Sequence, residues 1–293
     1  MYRPSAFGPT SLHRRWLVAS IAALVLPAAN GQSPTDARLA ELETNSGGRL
    51  GVVLLGPEGV LASHRAQERF PACSTFKVLL AAAVLHRAAS DPRLLNQLIR
   101  WDASELHTYA PVTSQATDTG LTVRELCAAT IQYSDNVAAN LLMRQIGGPA
   151  AVTAFARYLG DTTFRLDRWE PELNTAVPGD MRDTCTPADM ARNLQRLSLG
   201  RAIAPTERRL LDSWLLGNTT GGKRIRAGTP ADWTVGDKTG TGEYGTANDI
   251  AVIRRPKGKP LILTVFFTQP DPAAKANDEV VAEATRRAFA GLR

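Results

Sequence analysis

Cysteine is scarce: Cys73, Cys127 and Cys185 are the only three in 293 residues. An odd number leaves at least one thiol unpaired, and a chain of this length can bury a substantial core without disulfides. The four histidines, His13, His64, His86 and His107, lie far from the cysteines and show no ligand pairing. With no C-x-x-C either, the sequence argues against a structural metal, and the cysteines read as small buried hydrophobes. Apolar runs long enough to cross a membrane are missing as well. The run at residues 16–26 (WLVASIAALVL) has only eleven residues, too short for a spanning helix. Blocks of one charge are also lacking. Lysines and arginines are scattered among acids, without the basic patch and interleaved aromatics that nucleic acids select. What remains is an ordinary globular composition, 44% apolar and 21% charged.

The first 31 residues read as an export signal. Arg3, His13, Arg14 and Arg15 form a basic leader without acids, the apolar run follows, and Ala28, Ala29 and Gly31 supply small residues for cleavage. Arg14-Arg15 before Trp16 fits a twin-arginine signal, and a general secretory signal fits equally. An uncleaved anchor is the third reading. Loss of Arg3, Arg14 and Arg15 lowers the formal charge from +6 to +3, a mild value. The expected product is an exported, periplasmic or secreted monomer of residues 32–293, with no stable membrane insertion and no nucleic-acid partner.

Along the remaining chain, strands come from both ends and helices from the middle. A helix is expected at 35–45, then a hairpin of strands 49–55 and 60–63 across Gly56-Pro57-Glu58-Gly59. Helices are expected at 76–89, 122–133, 136–146, 150–159, 187–197 and 208–216. The first is apolar nearly all round and therefore buried. Strands follow at 233–238, 248–255 and 261–269, and a last helix at 273–292. This order predicts an α/β (α+β) fold. A five-stranded antiparallel sheet is flanked by terminal helices (residues 32–69 and 218–293), with an all-helical subdomain (70–217) inserted and a cleft at the seam.

Three short motifs carry chemistry. Ser74-Thr75-Phe76-Lys77 sets a hydroxyl and an amine on one face of a buried helix, near its N-terminus, where a desolvated amine can activate a nucleophile. Ser134-Asp135-Asn136 lies between two expected helices, and Lys238-Thr239-Gly240 ends an expected strand. In this order the set resembles that of the penicillin-recognising serine enzymes. Arg168-Trp169-Glu170-Pro171-Glu172-Leu173-Asn174 narrows the resemblance to class A β-lactamases, whose omega-loop holds the hydrolytic water on a Glu and an Asn. Residues 109–113, 161–167 and 217–221 extend it, so that it covers essentially all of residues 35–292.

The resemblance implies a cofactor-free, metal-free hydrolase of β-lactams, penicillins and cephalosporins, acting through a Ser74 acyl-enzyme. Lys77, or Glu170 through water, takes the serine proton. Ser134 passes a proton to the lactam nitrogen, and Glu170 with Asn174 activates the deacylating water. The backbone N–H groups of Ser74 and Thr241 hold the oxyanion. Asn136 bonds the substrate's side-chain amide, and Tyr109 lines the cleft entrance. Lys238, Thr239 and Thr241 take the substrate carboxylate, with Arg224 reaching in because Thr246-Ala247-Asn248 offers no arginine. Arg165 and Asp183 are expected to pair and brace the omega-loop. Some carbapenem-hydrolysing relatives pair a cysteine at the position of Cys73 with one at the position of Gly242; a glycine there forbids the bridge. A penicillin-binding transpeptidase or carboxypeptidase and a β-lactam sensor share the three motifs, and Glu170 with Asn174 speaks against both. Gly240-Thr241-Gly242-Glu243-Tyr244-Gly245 fits a dinucleotide fingerprint in letters only, since a strand-like run follows it and a hairpin turn is expected.

Overall fold

Ser33 accepts a hydrogen bond from the Asp36 N–H (3.1 Å), and Pro34 fits the first helical turn. These features open helix α1 (Pro34–Ser46), and Gly47 closes it at φ 67°. The computed structural model describes residues 33–106 and 108–292; the expected export signal lies outside them. Strands β1 (Arg49–Gly56) and β2 (Gly59–His64) form the hairpin, followed by the two-residue strand β3 (Phe70–Pro71). A 3₁₀ turn at Cys73–Phe76 leads into α2 (Lys77–Ala88), so Ser74 stands before the α-helix and not within it.

The short strands β4 (Leu98–Ile99) and β5 (Leu121–Thr122) pair ahead of α3 (Val123–Gln132), which opens with a Thr122/Glu125 capping box. Asp135 caps α4 (Asn136–Ile146), and Pro149 opens α5 (Pro149–Tyr158). Strand β6 (Thr184–Cys185) pairs with β3 and precedes α6 (Pro187–Ser198), α7 (Pro205–Leu216) and the short α8 (Ile225–Gly228). Strands β7 (Thr234–Thr241), β8 (Ala247–Arg254) and β9 (Leu261–Thr268) and helix α9 (Asp278–Phe289) complete the described chain.

Three expectations shift. Helix α7 starts at Pro205, three residues earlier than expected, because proline suits a first turn. Helix α9 starts at Asp278 and not at 273: the Asn277 side chain caps Val280 N, and residues 271–274 are taken by a turn. Strand β7 runs through the Lys-Thr-Gly motif to Thr241, since Thr239, Gly240 and Thr241 stay paired with Asp249, Asn248 and Ala247. The glycine-rich stretch after it is the expected hairpin turn.

The five long strands form one antiparallel sheet in the order β2-β1-β9-β8-β7, joining the N-terminal hairpin to the C-terminal strands. Side-chain alternation sorts the central strand β9 between two cores. Leu261, Leu263, Val265 and Phe267 pack with Leu39 and Leu42 of α1 and Val281 and Ala284 of α9. Ile262 and Phe266 face the helical body, where α2 is buried almost all round. This is the α/β architecture that the segment order predicts. Among the described residues no helix is long and apolar enough to cross a membrane.

Glu43 ties α1 to the sheet edge. It accepts hydrogen bonds from the Leu50 N–H (3.1 Å) and from Arg65 Nε and Nη2 (2.6 Å each), and shares one with His64 (2.7 Å). Burial pushes its carboxyl up, but the bonds from Arg65, Leu50 and His64 outweigh burial and hold it at about 2, against an ordinary 4.5. A depressed folded pKa gives stability that is present above the unfolded value and lost as pH falls through the folded one. Glu43→Gln is therefore expected to flatten the loss of stability between about pH 4.5 and about pH 2, read by denaturant unfolding; an unchanged acid profile contradicts the tether. Cys73, Cys127 and Cys185 are all free and fully buried, and burial pushes each thiol far up. In a disulfide-exchange assay the native protein should label at none of them and the unfolded protein at all three. A native thiol that reacts at once contradicts this packing.

Candidate active site

Residues 71–72 are anchored from two sides. Ala72 N donates to Asp183 O (2.8 Å), and Asn248 Nδ2 donates to Pro71 O (2.8 Å). Cys73 then takes a left-handed φ of 43°, a strain of about 1–3 kcal/mol for a non-glycine residue that the surrounding contacts must hold. The turn it creates puts the Ser74 hydroxyl at the floor of a cleft of about 330 Å³. Lys77, one turn further on, points beneath that floor and is fully buried.

Beneath the floor lies a dense polar cluster. Lys77 Nζ donates to Asn136 Oδ1 (2.6 Å) and Ser134 O (2.8 Å) and stands 3.0 Å from Glu170 Oε1. An ammonium has three N–H bonds, and each has an acceptor here. Ser74 Oγ lies 3.4 Å from the same Glu170 oxygen. Burial pushes Lys77 below the ordinary lysine range, against the pull of Glu170. Lys238, also fully buried, donates to Ser134 Oγ (3.0 Å) and Thr239 O (2.8 Å). Burial, together with the Lys77 cation, holds it well below its ordinary value. Ser134, at φ 58°, is thus held between two lysines, its carbonyl on one and its hydroxyl on the other.

The loop at residues 165–183 brings Glu170 to this cluster. Asn140 clamps its backbone in both directions, donating to Glu170 O (2.9 Å) and accepting from Glu170 N (3.0 Å). Asn174 Nδ2 donates to Glu170 Oε2, whereas Asn174 Oδ1 is a buried acceptor with no donor among the described residues. Such an atom beside a carboxylate suits a small hydrogen-bonding reactant. The brace of the loop is Arg168, not Arg165. Asp183 accepts from Arg168 Nε (2.5 Å), Arg168 N (3.0 Å) and Asp167 N (2.7 Å). Arg165 pairs instead with Asp167, two residues away on the exposed side. Position 168 faces inward and reaches the buried carboxylate; position 165 faces solvent.

The other end of the cleft is cationic. Arg224 is buried, with Nη1 on the carbonyls of Gly240 (2.7 Å) and Asn248 (2.8 Å), Nη2 on Thr241 Oγ1 (2.7 Å) and Nε on Asp278 (2.7 Å). Thr239 shares a 2.6 Å hydrogen bond with Thr220, which also lines the cleft. Tyr109, 58% exposed, stands at the rim, and its carbonyl accepts from Asn136 N (2.8 Å). A Cβ at Gly242 would lie 2.7 Å from both Cys73 Sγ and Asn174 O, so only glycine lets the loop close over Cys73.

Apart from Arg165, the residues singled out from sequence converge. Ser74, Tyr109, Ser134, Asn136 and Asn174 line the cleft with Arg224, Thr239 and Thr241. Lys77, Glu170 and Lys238 lie fully buried around it. The sequence reading missed four supports: Asn140, Asp135, Thr220 and Asp278. Asn140 was findable, since it stands one helical turn from Asn136 on the same face. Asp135 caps α4 and also accepts from Val112 N, Thr113 N and Thr113 Oγ1, which pins the Tyr109 loop. Its place before a helix signalled the cap but not the second role.

Residues 34–292 match the model of the β-lactamase enzyme family. β-Lactamase OXY-2 of Klebsiella oxytoca is 49% identical over 280 residues, which is 94% of this chain and 97% of that protein. The carbapenem-hydrolysing β-lactamase KPC of Klebsiella oxytoca is 48% identical over 287 residues, 96% and 98% of the two chains. The crystal structure of a β-lactamase from Desulfarculus baarsii superposes with a TM-score of 0.85 at 50% identity, covering 86% of this chain and 95% of that one. The chain belongs to the β-lactamase enzyme family, as a serine β-lactamase.

Proposed function

We propose that the chain hydrolyses penicillins and cephalosporins in two steps through Ser74 and so confers resistance to them. In the first, Ser74 Oγ attacks the lactam carbonyl, its proton leaves to a base, and the C–N bond breaks as Ser134 hands a proton to the nitrogen. In the second, water adds to the ester, and the acid departs as Ser74 regains its proton. The Ser74 and Thr241 backbone N–H groups receive the oxyanion; in another serine hydrolase one such donor is worth about 10²–10³ in kcat.

The observation that carries this reading is the position of Glu170, whose carboxylate stands within reach of both the Ser74 hydroxyl and Asn174. For acylation the proton of Ser74 leaves to Lys77 or, through water, to Glu170, both buried beneath it, so acylation does not depend on Glu170 alone. For deacylation, the unmatched Asn174 Oδ1 and the Glu170 carboxylate supply two acceptors for one water. Lys238, Thr239, Thr241 and Arg224 take the substrate carboxylate, Asn136 its amide and Tyr109 its side chain.

Residues 1–31 act as the export signal, residues 165–183 as the omega-loop, and the enzyme works as a periplasmic or secreted monomer. The cleft lies at the seam between the sheet-bearing part (32–69 and 218–293) and the helical part (70–217). Glu170→Ala is expected to acylate but not release, so that intact mass after benzylpenicillin shows one persistent adduct. Turnover at the wild-type rate by this variant overturns the role given to Glu170.

A further inference from the structure

A second cavity, also of about 330 Å³, shares the 165–183 loop with the catalytic cleft but none of its lining residues. Pro71, Ala176, Val177, Pro178 and Met181 make its walls apolar, against the start of β1 and the end of β9. Val177 and Met181 are 43% and 50% exposed, so large apolar groups stand in water at its rim. Apolar concavities of this size with a few polar groups are a usual form of a small-molecule site.

Three charged side chains line it, and they differ in how they are matched. Arg49 is paired with Glu68 (2.7 Å), and Asp180 with Arg182 (2.8 Å) and Arg168 (3.6 Å). Arg69 is half-buried and has no carboxylate within 4.0 Å among the described residues. Its Nη1 donates to Thr163 O (2.7 Å) and Thr184 Oγ1 (2.9 Å), and among the described residues its Nε/Nη2 edge has no hydrogen-bond partner. That edge is the one that grips a carboxylate by two parallel hydrogen bonds.

We propose that this cavity is a second ligand site, for a small monocarboxylate with an apolar body. The carboxylate sits on Arg69, and the body lies against the prolines, Val177 and Met181. The neighbouring Asp180 carboxylate selects against a second negative charge. The site stands close to the chemistry: Ala176 follows Asn174 by two residues, and Pro71 precedes Ser74 by three. The Asn174 carbonyl is further held by Glu243 N (2.9 Å).

The test is calorimetric titration of the purified protein with 4-phenylbutyrate, and with 4-phenyl-1-butanol as the uncharged control. Saturable binding in the millimolar range or tighter is expected, at least about tenfold weaker for the alcohol. Arg69→Gln should weaken the acid by about tenfold or more, Val177→Trp should fill the cavity and abolish binding, and Lys238→Ala, which alters only the catalytic cleft, should leave binding of the acid unchanged. Equal affinity for acid and alcohol overturns the proposal, as does no saturable binding. Loss with Lys238→Ala but not Arg69→Gln moves the probe to the catalytic cleft and overturns it as well. Retained benzylpenicillin hydrolysis reports that Arg69→Gln and Val177→Trp are folded. Because the titration contains no β-lactam, its failure is separate from any failure of the hydrolysis reading.

Discussion

A buried charge pair governs this molecule. Lys77 and Glu170 are fully enclosed and 3.0 Å apart, and each is tolerable there only because of the other. Desolvation taxes both, and removing one partner of such a pair generally costs about 3–5 kcal/mol because a bare charge is left behind. The surrounding structure can be read as the means of holding the pair. Asn136 and the Ser134 carbonyl complete the shell of Lys77, while Asn140 and Asn174 fix Glu170 at its backbone and carboxylate. Reactivity follows from the same arrangement, since Ser74 shares the one Glu170 oxygen that faces Lys77.

The sheet and the helices deliver these groups from distant sequence. The sheet supplies Lys238, Thr239 and Thr241 along one edge strand, whose pairing continues through the motif to its last residue. The helical body supplies Ser74 and Lys77 from the start of α2 and Asn136 and Asn140 from α4. Strained backbone concentrates where they meet, at Cys73, Ser134 and, on the loop, Ala176 and Asp183, all with positive φ. Such conformations persist where neighbours over-determine them. Asp183 shows how: it accepts from two backbone N–H groups and Arg168, and its own carbonyl receives Ala72.

Segment order and apolar periodicity were enough to read the sheet, its terminal helices and the inserted helical body. The candidate site was legible because three motifs and the Glu170 stretch, in this order, resemble those of class A β-lactamases. What escaped were contacts that depend on facing direction in irregular chain. Arg165 and Arg168 are equivalent as letters, and only the course of the loop turns one inward to Asp183. The 3₁₀ turn at Ser74 escaped for the same reason, because its strained Cys73 is imposed by tertiary hydrogen bonds and has no propensity signal. Arg224 lines the cleft, and its anchor Asp278 sits 54 residues away at the opening of α9, beyond the reach of local patterning.

The most direct measurement is a time course of purified residues 32–293 with excess benzylpenicillin, following ring opening and intact mass together. Glu170 poised over both Ser74 and Asn174 requires many turnovers per enzyme with only a fleeting adduct. One stoichiometric adduct that persists would contradict it, and would mean that the buried pair supports acylation without release.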